Sequence, residues 1–96
     1  MQFSIITPTY NRSHLLKRLY LSLLPQKSYI KEWIIIDDGS KDNTRYLIDE
    51  FKKENLFPII YQYHTNKGMV HSINLALKYI TADYFFKLDS DDFLLK

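Results

Sequence analysis

The run Trp33-Ile34-Ile35-Ile36 is cut off by Asp37-Asp38-Gly39-Ser40, and this junction constrains the chain more than any other feature. Successive side chains of a strand point to opposite faces of its sheet. A strand that is apolar at consecutive positions therefore needs cover on both faces, and helices laid across a parallel sheet provide it. The rest of the chain offers such helices. Phe3 to Pro8 reads as a short buried strand. Ser13 can cap a helix that carries Leu15, Leu16, Leu19 and Leu23 at helical spacing, closed by Pro25. Asp42 or Asn43 can cap a second helix, which turns Tyr46 or Leu47, together with Ile48 and Phe51, inward. Pro58 to Tyr63 is a third strand. Asn66 can cap a third helix with Met69, Val70, Ile73, Ala76, Leu77 and Ile80 on one apolar stripe. Tyr84 to Leu88 is a fourth strand, ended by Asp89-Ser90-Asp91-Asp92. The order βαβαβαβ predicts an α/β fold: a Rossmann-like, mainly parallel four-stranded sheet, strand order 3-2-1-4, with helices on both faces.

The 96 residues suit one small domain, with 46% hydrophobic residues for its core. A net charge of +2, from 13 basic and 11 acidic residues without a basic stripe, gives no argument for nucleic acid or an anionic membrane as partner. The lack of cysteine excludes disulfides and thiolate metal sites and suits a reducing cytoplasm. No apolar run approaches the ~18 residues that a membrane span needs, and no signal-peptide layout opens the chain. Repeats, low-complexity segments and linkers are absent. The tail Phe93-Leu94-Leu95-Lys96 reads as the start of something further, and its apolar surface is expected to favour self-association into a homo-oligomer.

In an open parallel sheet, ligands bind at the carboxyl ends of the strands. The uncommon polar clusters fall there: Thr9-Tyr10-Asn11 after strand one, Asp37-Asp38 after strand two, Tyr63-His64-Thr65-Asn66 ending strand three, and Asp89-x-Asp91-Asp92 after strand four. Asp89, Asp91 and Asp92 are the sharpest of these signals. Two charges ~4 Å apart at a near-surface dielectric repel by about 4 kcal/mol. A divalent cation offsets that repulsion, and oxygen-only ligands suit Mg²⁺ or Mn²⁺. The plain alternative is an acidic loop with solvated side chains. Of Asp37 and Asp38, one serves the turn and only one can face a given ligand, because consecutive strand-end residues point to opposite faces. Tyr10 is either a surface aromatic or a platform for a base.

Taken together, these residues resemble glycosyltransferase family 2, whose catalytic domain has the GT-A fold. The resemblance is carried by Pro8-Thr9-Tyr10-Asn11, by Asp37-Asp38-Gly39-Ser40-Lys41-Asp42-Asn43-Thr44, by Asn66-Lys67-Gly68 and by Leu88-Asp89-Ser90-Asp91-Asp92, in the family's order and spacing over essentially all 96 residues. It implies that residues 1–96 are the nucleotide-sugar-binding part of a catalytic domain, truncated after the Asp-x-Asp motif. It further implies an inverting, metal-dependent transfer of a sugar from a nucleotide diphosphate, typically a UDP-sugar, to a hydroxyl of a saccharide or lipid-linked acceptor. Tyr10 would stack on the base, Asp38 would bond its edge, and Asp89 would sit near the ribose or diphosphate. The nucleotide-binding set is Pro8, Tyr10, Asn11, Asp38, Lys67, Asp89 and Ser90. The metal, Mg²⁺ or Mn²⁺, would be held by Asp91, with Asp89 and Asp92. The general base is expected beyond residue 96, as are parts that attach the protein to a membrane. One departure stands out: many members carry Ala-Arg-Asn in the third helix, where this chain has Ser72-Ile73-Asn74. Ile73 is expected to pack inward, leaving Lys67 or His71 to supply polar contacts, although His71 also reads as an ordinary exposed or hydrogen-bonded helix histidine.

Other readings fit less well. In a haloacid-dehalogenase-type phosphotransferase the Asp-x-Asp follows the first strand, with Thr or Val where this chain has Phe93. A calcium loop starting at Asp89 requires Gly at its sixth place, which is Leu94. A response-regulator-like domain places its paired aspartates after strand one, where Thr7-Pro8-Thr9 stands. A non-catalytic nucleotide-binding fragment differs from the transferase reading only in what lies outside these residues.

Overall fold

The computed structural model describes residues 1–65 and 68–89. The elements follow the expected alternation: β1 (Phe3–Thr9), α1 (Ser13–Leu23), a 3-10 segment (Leu24–Tyr29), β2 (Ile30–Asp37), α2 (Thr44–Glu54), β3 (Ile59–Tyr63), α3 (Met69–Leu77) and β4 (Tyr84–Lys87). The strands form one parallel sheet in the order β3-β2-β1-β4. The carboxyl-terminal register sets Thr9 of β1 beside Asp37 of β2, and Asp37 beside Tyr63 of β3.

The central strand β2 feeds two cores. Trp33 and Ile35 join Ile5, Leu16, Leu19, Tyr20, Leu23, Ile48 and Phe51 under α1 and α2. Ile34 and Ile36 join Ile6 and Ala76 under α3, with Ile73 and Ile60 partly buried against them. Ile73 thus packs inward as expected. In the larger core the Tyr20 and Phe51 rings stack 3.9 Å apart, with the Trp33 ring about parallel and beside both. Burial, reinforced by a hydrogen bond to the Glu54 carboxylate, pushes the Tyr20 hydroxyl well above the ordinary phenol range. The Trp33 indole N–H donates to Thr7 Oγ1 at 2.9 Å, so both polar groups enter the core satisfied.

Several local expectations are corrected. β2 begins at Ile30, earlier than the apolar run, because Glu32 is buried through hydrogen bonds from the Ser4 and Thr81 hydroxyls. The position before α1 is Arg12, not Ser13, and no side chain caps the helix from there. Of the two caps expected for α2, Asn43 makes none, whereas Asp42 Oδ1 accepts the Thr44 N–H at the helix start. Leu47, not Tyr46, turns inward: Tyr46 is 64% exposed. The apolar stripe of α3 is narrower than the spacing predicts. Val70 and Leu77 face solvent while Ser72 is buried, and Ile80 lies past the helix end. The cap expected at Asn66 and the tail Phe93–Lys96 lie outside the described residues. Exposed apolar surface among the described residues includes the edge strand β4, where Tyr84, Phe85 and Phe86 are each about half exposed.

The Trp33–Thr7 pair gives a test of the core. Trp33→Phe keeps most of the ring but leaves the buried Thr7 hydroxyl without its donor, which costs about 1–3 kcal/mol of unfolding free energy. Adding Thr7→Val removes the orphaned group and recovers part of that loss. Denaturant unfolding of the two variants decides: a double variant less stable than Trp33→Phe alone is incompatible with the pair as described.

Candidate functional site

The ladder continues one step past the strands. The Asp38 N–H donates to Thr9 O at 3.0 Å and the His64 N–H donates to Asp37 O at 2.9 Å. At the other side of β1, the Leu88 N–H donates to Ile6 O at 2.9 Å. These bonds set His64, Asp38, Tyr10 and Asp89 along one edge, in the sheet's own order. The clusters scattered through the sequence thereby meet at the carboxyl ends.

Asp37 and Asp38 divide as the alternation of a strand requires. Asp37 is buried: its Oδ1 accepts the Ser40 N–H at 2.8 Å, closing the turn, and its Oδ2 accepts the Tyr61 hydroxyl. Burial and then the Asp37 carboxylate push the Tyr61 hydroxyl well above the ordinary phenol range. Gly39 holds φ 97, a left-handed conformation that glycine adopts without penalty. Asp38 points to the other face, its side chain one-fifth exposed, where its Oδ2 accepts the Gly68 N–H at the start of α3 at 3.0 Å. The turn carboxylate is therefore Asp37, and the carboxylate that can meet a ligand is Asp38.

Tyr10 is 53% exposed and Pro8 half-buried in β1. Their loop is latched to the loop after β2. The Asn11 N–H donates to Ser40 Oγ at 2.8 Å, and Asn11 Oδ1 accepts the Lys41 N–H at 2.7 Å. Asn11 has φ 51, which asparagine tolerates better than most residues. The structure thus engages the Asn11 side-chain oxygen in holding the loop beside Tyr10. Asp42 completes the latch: Oδ2 accepts the Ser13 N–H at 3.2 Å, while Oδ1 accepts the Thr44 N–H at 3.1 Å and the Thr44 hydroxyl at 2.5 Å. One carboxylate so reaches the first residues of both α1 and α2, where amide donors lack intrahelical partners and the helix dipole favours negative charge. Burial alone would raise the Asp42 carboxyl, but these hydrogen bonds outweigh it and hold it below the ordinary range.

Asp42 acts at the start of α2 as one of the two expected caps, whereas Ser40 and Thr44 carry no role in a periodicity reading, although their fixed spacing after Asp37-Asp38 is visible in the sequence. His64 and Ser72 also join the site. His64 Nδ1 lies 3.1 Å from Asp38 Oδ1, and its Nε2 lies 3.2 Å from Ser72 Oγ. His71 is exposed, with its ring edge-on to that of His64 at 5.2 Å. Asp89 sits past β4, paired with Lys87 Nζ at 2.7 Å. Lys67, Ser90, Asp91 and Asp92 lie outside the described residues. Asp89 is the one member of the acidic triplet that the structure places.

The sequence and the fold both have counterparts among known proteins. The profile of the family described as Glycosyl transferase family 2 matches residues 4–96. The Escherichia coli protein WfgD, named as a UDP-Glc:alpha-D-GlcNAc-diphosphoundecaprenol beta-1,3-glucosyltransferase, is 37% identical over 89 residues, which cover 93% of this chain and 34% of WfgD. The poly-beta-1,6-N-acetyl-D-glucosamine synthase of Staphylococcus epidermidis is 35% identical over 88 residues, 92% of this chain and 21% of the synthase. The chain thus spans about a third or less of the length of these relatives. Among solved structures, S. aureus TarS in complex with UDP-GlcNAc superposes with a TM-score of 0.85 at 30% identity, over 97% of this chain and 27% of that one. The mannosyltransferase PcManGT of Pyrobaculum calidifontis, in complex with GDP-Man and Mn2+, shares the fold with a TM-score of 0.83 at 22% identity, over 96% of this chain and 28% of its own.

The lowered Asp42 carboxyl carries a pH consequence. A carboxyl lower in the folded than in the unfolded chain contributes stability that is fully present above the unfolded value, about 4, and that is lost as pH falls through the folded value. Asp42→Asn lacks the charge at every pH. The stability gap between the unsubstituted chain and Asp42→Asn is therefore expected to be widest near neutrality and to close as pH falls below ~4. Denaturant midpoints measured across that range check it, and a gap that widens on acidification contradicts the latch.

Proposed function

The chain belongs to glycosyl transferase family 2, and from that premise we propose that it carries the donor-binding site of an inverting glycosyltransferase that uses a uridine diphosphate sugar. The reading rests on one observation: Tyr10 and Asp38 stand side by side past β1 and β2, with Asp89 one strand further along the same edge. An exposed aromatic ring beside a fixed carboxylate suits a flat base with an N–H on its edge. The ring supplies a stacking face and the carboxylate accepts the donor. TarS, solved with UDP-GlcNAc and with UDP, supports a uridine nucleotide. The names of the curated relatives support transfer to a saccharide or a lipid-linked saccharide.

The donor set fits a hard divalent cation. Asp89, Asp91 and Asp92 offer carboxylate oxygens alone, the chemistry that Mg²⁺ or Mn²⁺ accepts. Bound there, such a cation would supply charge stabilisation to the departing diphosphate. The chain's own residues bind and orient: Tyr10 and Asp38 fix the base, and the latch of Ser40, Asn11 and Asp42 fixes the loop that carries Tyr10. In the whole protein, a carboxylate outside residues 1–96 takes the proton of the acceptor hydroxyl as that oxygen displaces the diphosphate at the anomeric carbon.

Base recognition and cation binding therefore separate. Tyr10→Ala and Asp38→Ala each weaken uridine binding about tenfold or more, with or without Mg²⁺, since a stacked base or a buried hydrogen bond is worth roughly 1–3 kcal/mol. Asp91→Ala leaves uridine binding nearly unchanged, weakens UDP binding and removes its metal dependence. Calorimetric titration of uridine and UDP into the three variants is the measurement. Equal loss of uridine affinity in Asp91→Ala and Tyr10→Ala sinks the division, and UDP binding indifferent to metal sinks the donor site as proposed.

A further inference from the structure

We propose that His64 is a positioning residue for base recognition: its imidazole, seated on Ser72, orients the Asp38 carboxylate toward the base edge. This rests on the reading of Asp38 given above.

The backbone puts the imidazole where it acts. The His64 N–H continues the β3 ladder onto Asp37 O at 2.9 Å, so the ring stands beside the side chain of Asp38. Both side chains are largely buried, 13% exposed for His64 and 20% for Asp38. The carboxylate is then approached from two sides. Oδ2 accepts the Gly68 N–H at 3.0 Å, and Oδ1 lies 3.1 Å from His64 Nδ1. The torsion about the Cβ–Cγ bond is broad and two-fold in aspartate, so a donor at one oxygen restrains the carboxylate plane less than donors at both. A second donor beside the other oxygen fixes its plane. The lone pairs that must meet a base N–H lie in that plane.

The far side of the ring is also built. Nε2 lies 3.2 Å from Ser72 Oγ, and Ser72 Oγ lies 3.1 Å from Gly68 O. Ser72 is 1% exposed, a polar side chain buried on a helix. Among the described residues, Nε2 and Gly68 O are the two groups within reach of its single hydroxyl proton. The chemistry also fixes the proton. Beside an anionic oxygen 3.1 Å away, a hydrogen on Nδ1 is favoured over a lone pair even off line, so Nδ1 carries the hydrogen and Nε2 accepts the Ser72 hydroxyl, whose single proton is then shared between Nε2 and Gly68 O. Nδ1 is buried, and among the described residues no acceptor lies in line with it. The contact with Asp38 is bent as it stands. Hydrogen bonds of a site are commonly loose before its ligand arrives and tighten with it, and a small turn of the carboxylate toward a docked base brings Nδ1–H into line.

The test uses uridine as the probe, titrated into the intact protein. The amide nitrogen of asparagine falls near the position of Nδ1, and that of glutamine near Nε2. His64→Ala and His64→Gln are expected to weaken uridine binding about fivefold, the effect of one hydrogen bond, while His64→Asn stays within about twofold of the unsubstituted protein. The ratio of UDP to uridine affinity in Mg²⁺ stays the same in all three. In the Asp38→Ala background, His64→Ala has no further effect. Nitrogen NMR of the unsubstituted protein finds the proton on Nδ1. The proposal is overturned if His64→Ala binds uridine normally, if asparagine and glutamine are equally poor, if His64→Ala weakens binding as much without Asp38 as with it, or if Nε2 alone is protonated. Should Asp38→Ala itself leave uridine binding intact, the reading of Asp38 fails, and His64 loses its role with it. An effect of Asp38→Ala without one of His64→Ala overturns this inference alone.

Discussion

The strand Ile30–Asp37 buries Trp33 and Ile35 in one core and Ile34 and Ile36 in the other, all without exposed surface. A one-residue slip in its register would exchange the two sets and drive an indole into the space beneath α3. Register is therefore fixed by packing, and the fixed register decides what happens where the strand ends. Asp37 falls on the side of Trp33 and Ile35, and Asp38 on the side of Ile34 and Ile36. A buried structural carboxylate and an accessible one follow from the same alternation that places the isoleucines. Which of the two carboxylates is buried is therefore a consequence of core packing along the strand that precedes them.

What packing fixes in the strands, hydrogen bonds fix in the loops. The segments after β1 and β2 are joined through Asn11, Ser40, Lys41 and Asp42, in bonds that span 29 or 30 residues of sequence. The Asp42 carboxylate reaches Thr44 at the start of α2 and Ser13 at the start of α1. The loop bearing Tyr10 is thus held on the hydrogen-bonding groups of its neighbour. If Tyr10 stacks on a base as proposed, a platform held in this way would lose less freedom on docking, and such preorganisation raises affinity without adding a contact to the ligand.

The chain's architecture was legible because its signals are periodic. Alternation and helical spacing identify four strands and three helices, and the rule that ligands meet parallel sheets at strand ends collects the polar clusters into one edge. Strand parity also reveals that Asp37 and Asp38 cannot share a role. The features that stayed hidden depend on partners far apart in sequence. Ser13 looks like a cap by its type and place, yet its own amide is the group being capped, by Asp42 from another loop. Val70 and Leu77 look like core by their spacing and are exposed, whereas Ser72 looks like surface and is buried. Its hydroxyl finds Gly68 O and His64, contacts that no count of apolar residues along α3 can register. Glu32 is hidden for the same reason: a carboxylate inside a strand reads as solvent-facing until the Ser4 and Thr81 hydroxyls are placed around it.

The carboxylates of the site are held in two different ways. Asp37 and Asp42 are met by neutral donors, which include backbone N–H groups and the hydroxyls of Tyr61 and Thr44. Neutral donors keep a carboxylate in place while leaving its charge uncompensated, so these groups retain a negative field at the edge of the sheet. Asp89 is met by a cation, the ammonium of Lys87 at 2.7 Å, with both side chains about two-fifths exposed. An ion pair so exposed is worth only about 0–1 kcal/mol, because water solvates both partners nearly as well apart as together. It orients Asp89 without committing it. A divalent cation brings twice the charge of the ammonium, and Lys87 lies on a flexible stem that can yield the oxygen and keep its own hydration. Asp37 and Asp42 are thus held by several neutral donors each, whereas Asp89 is held by an exposed ammonium.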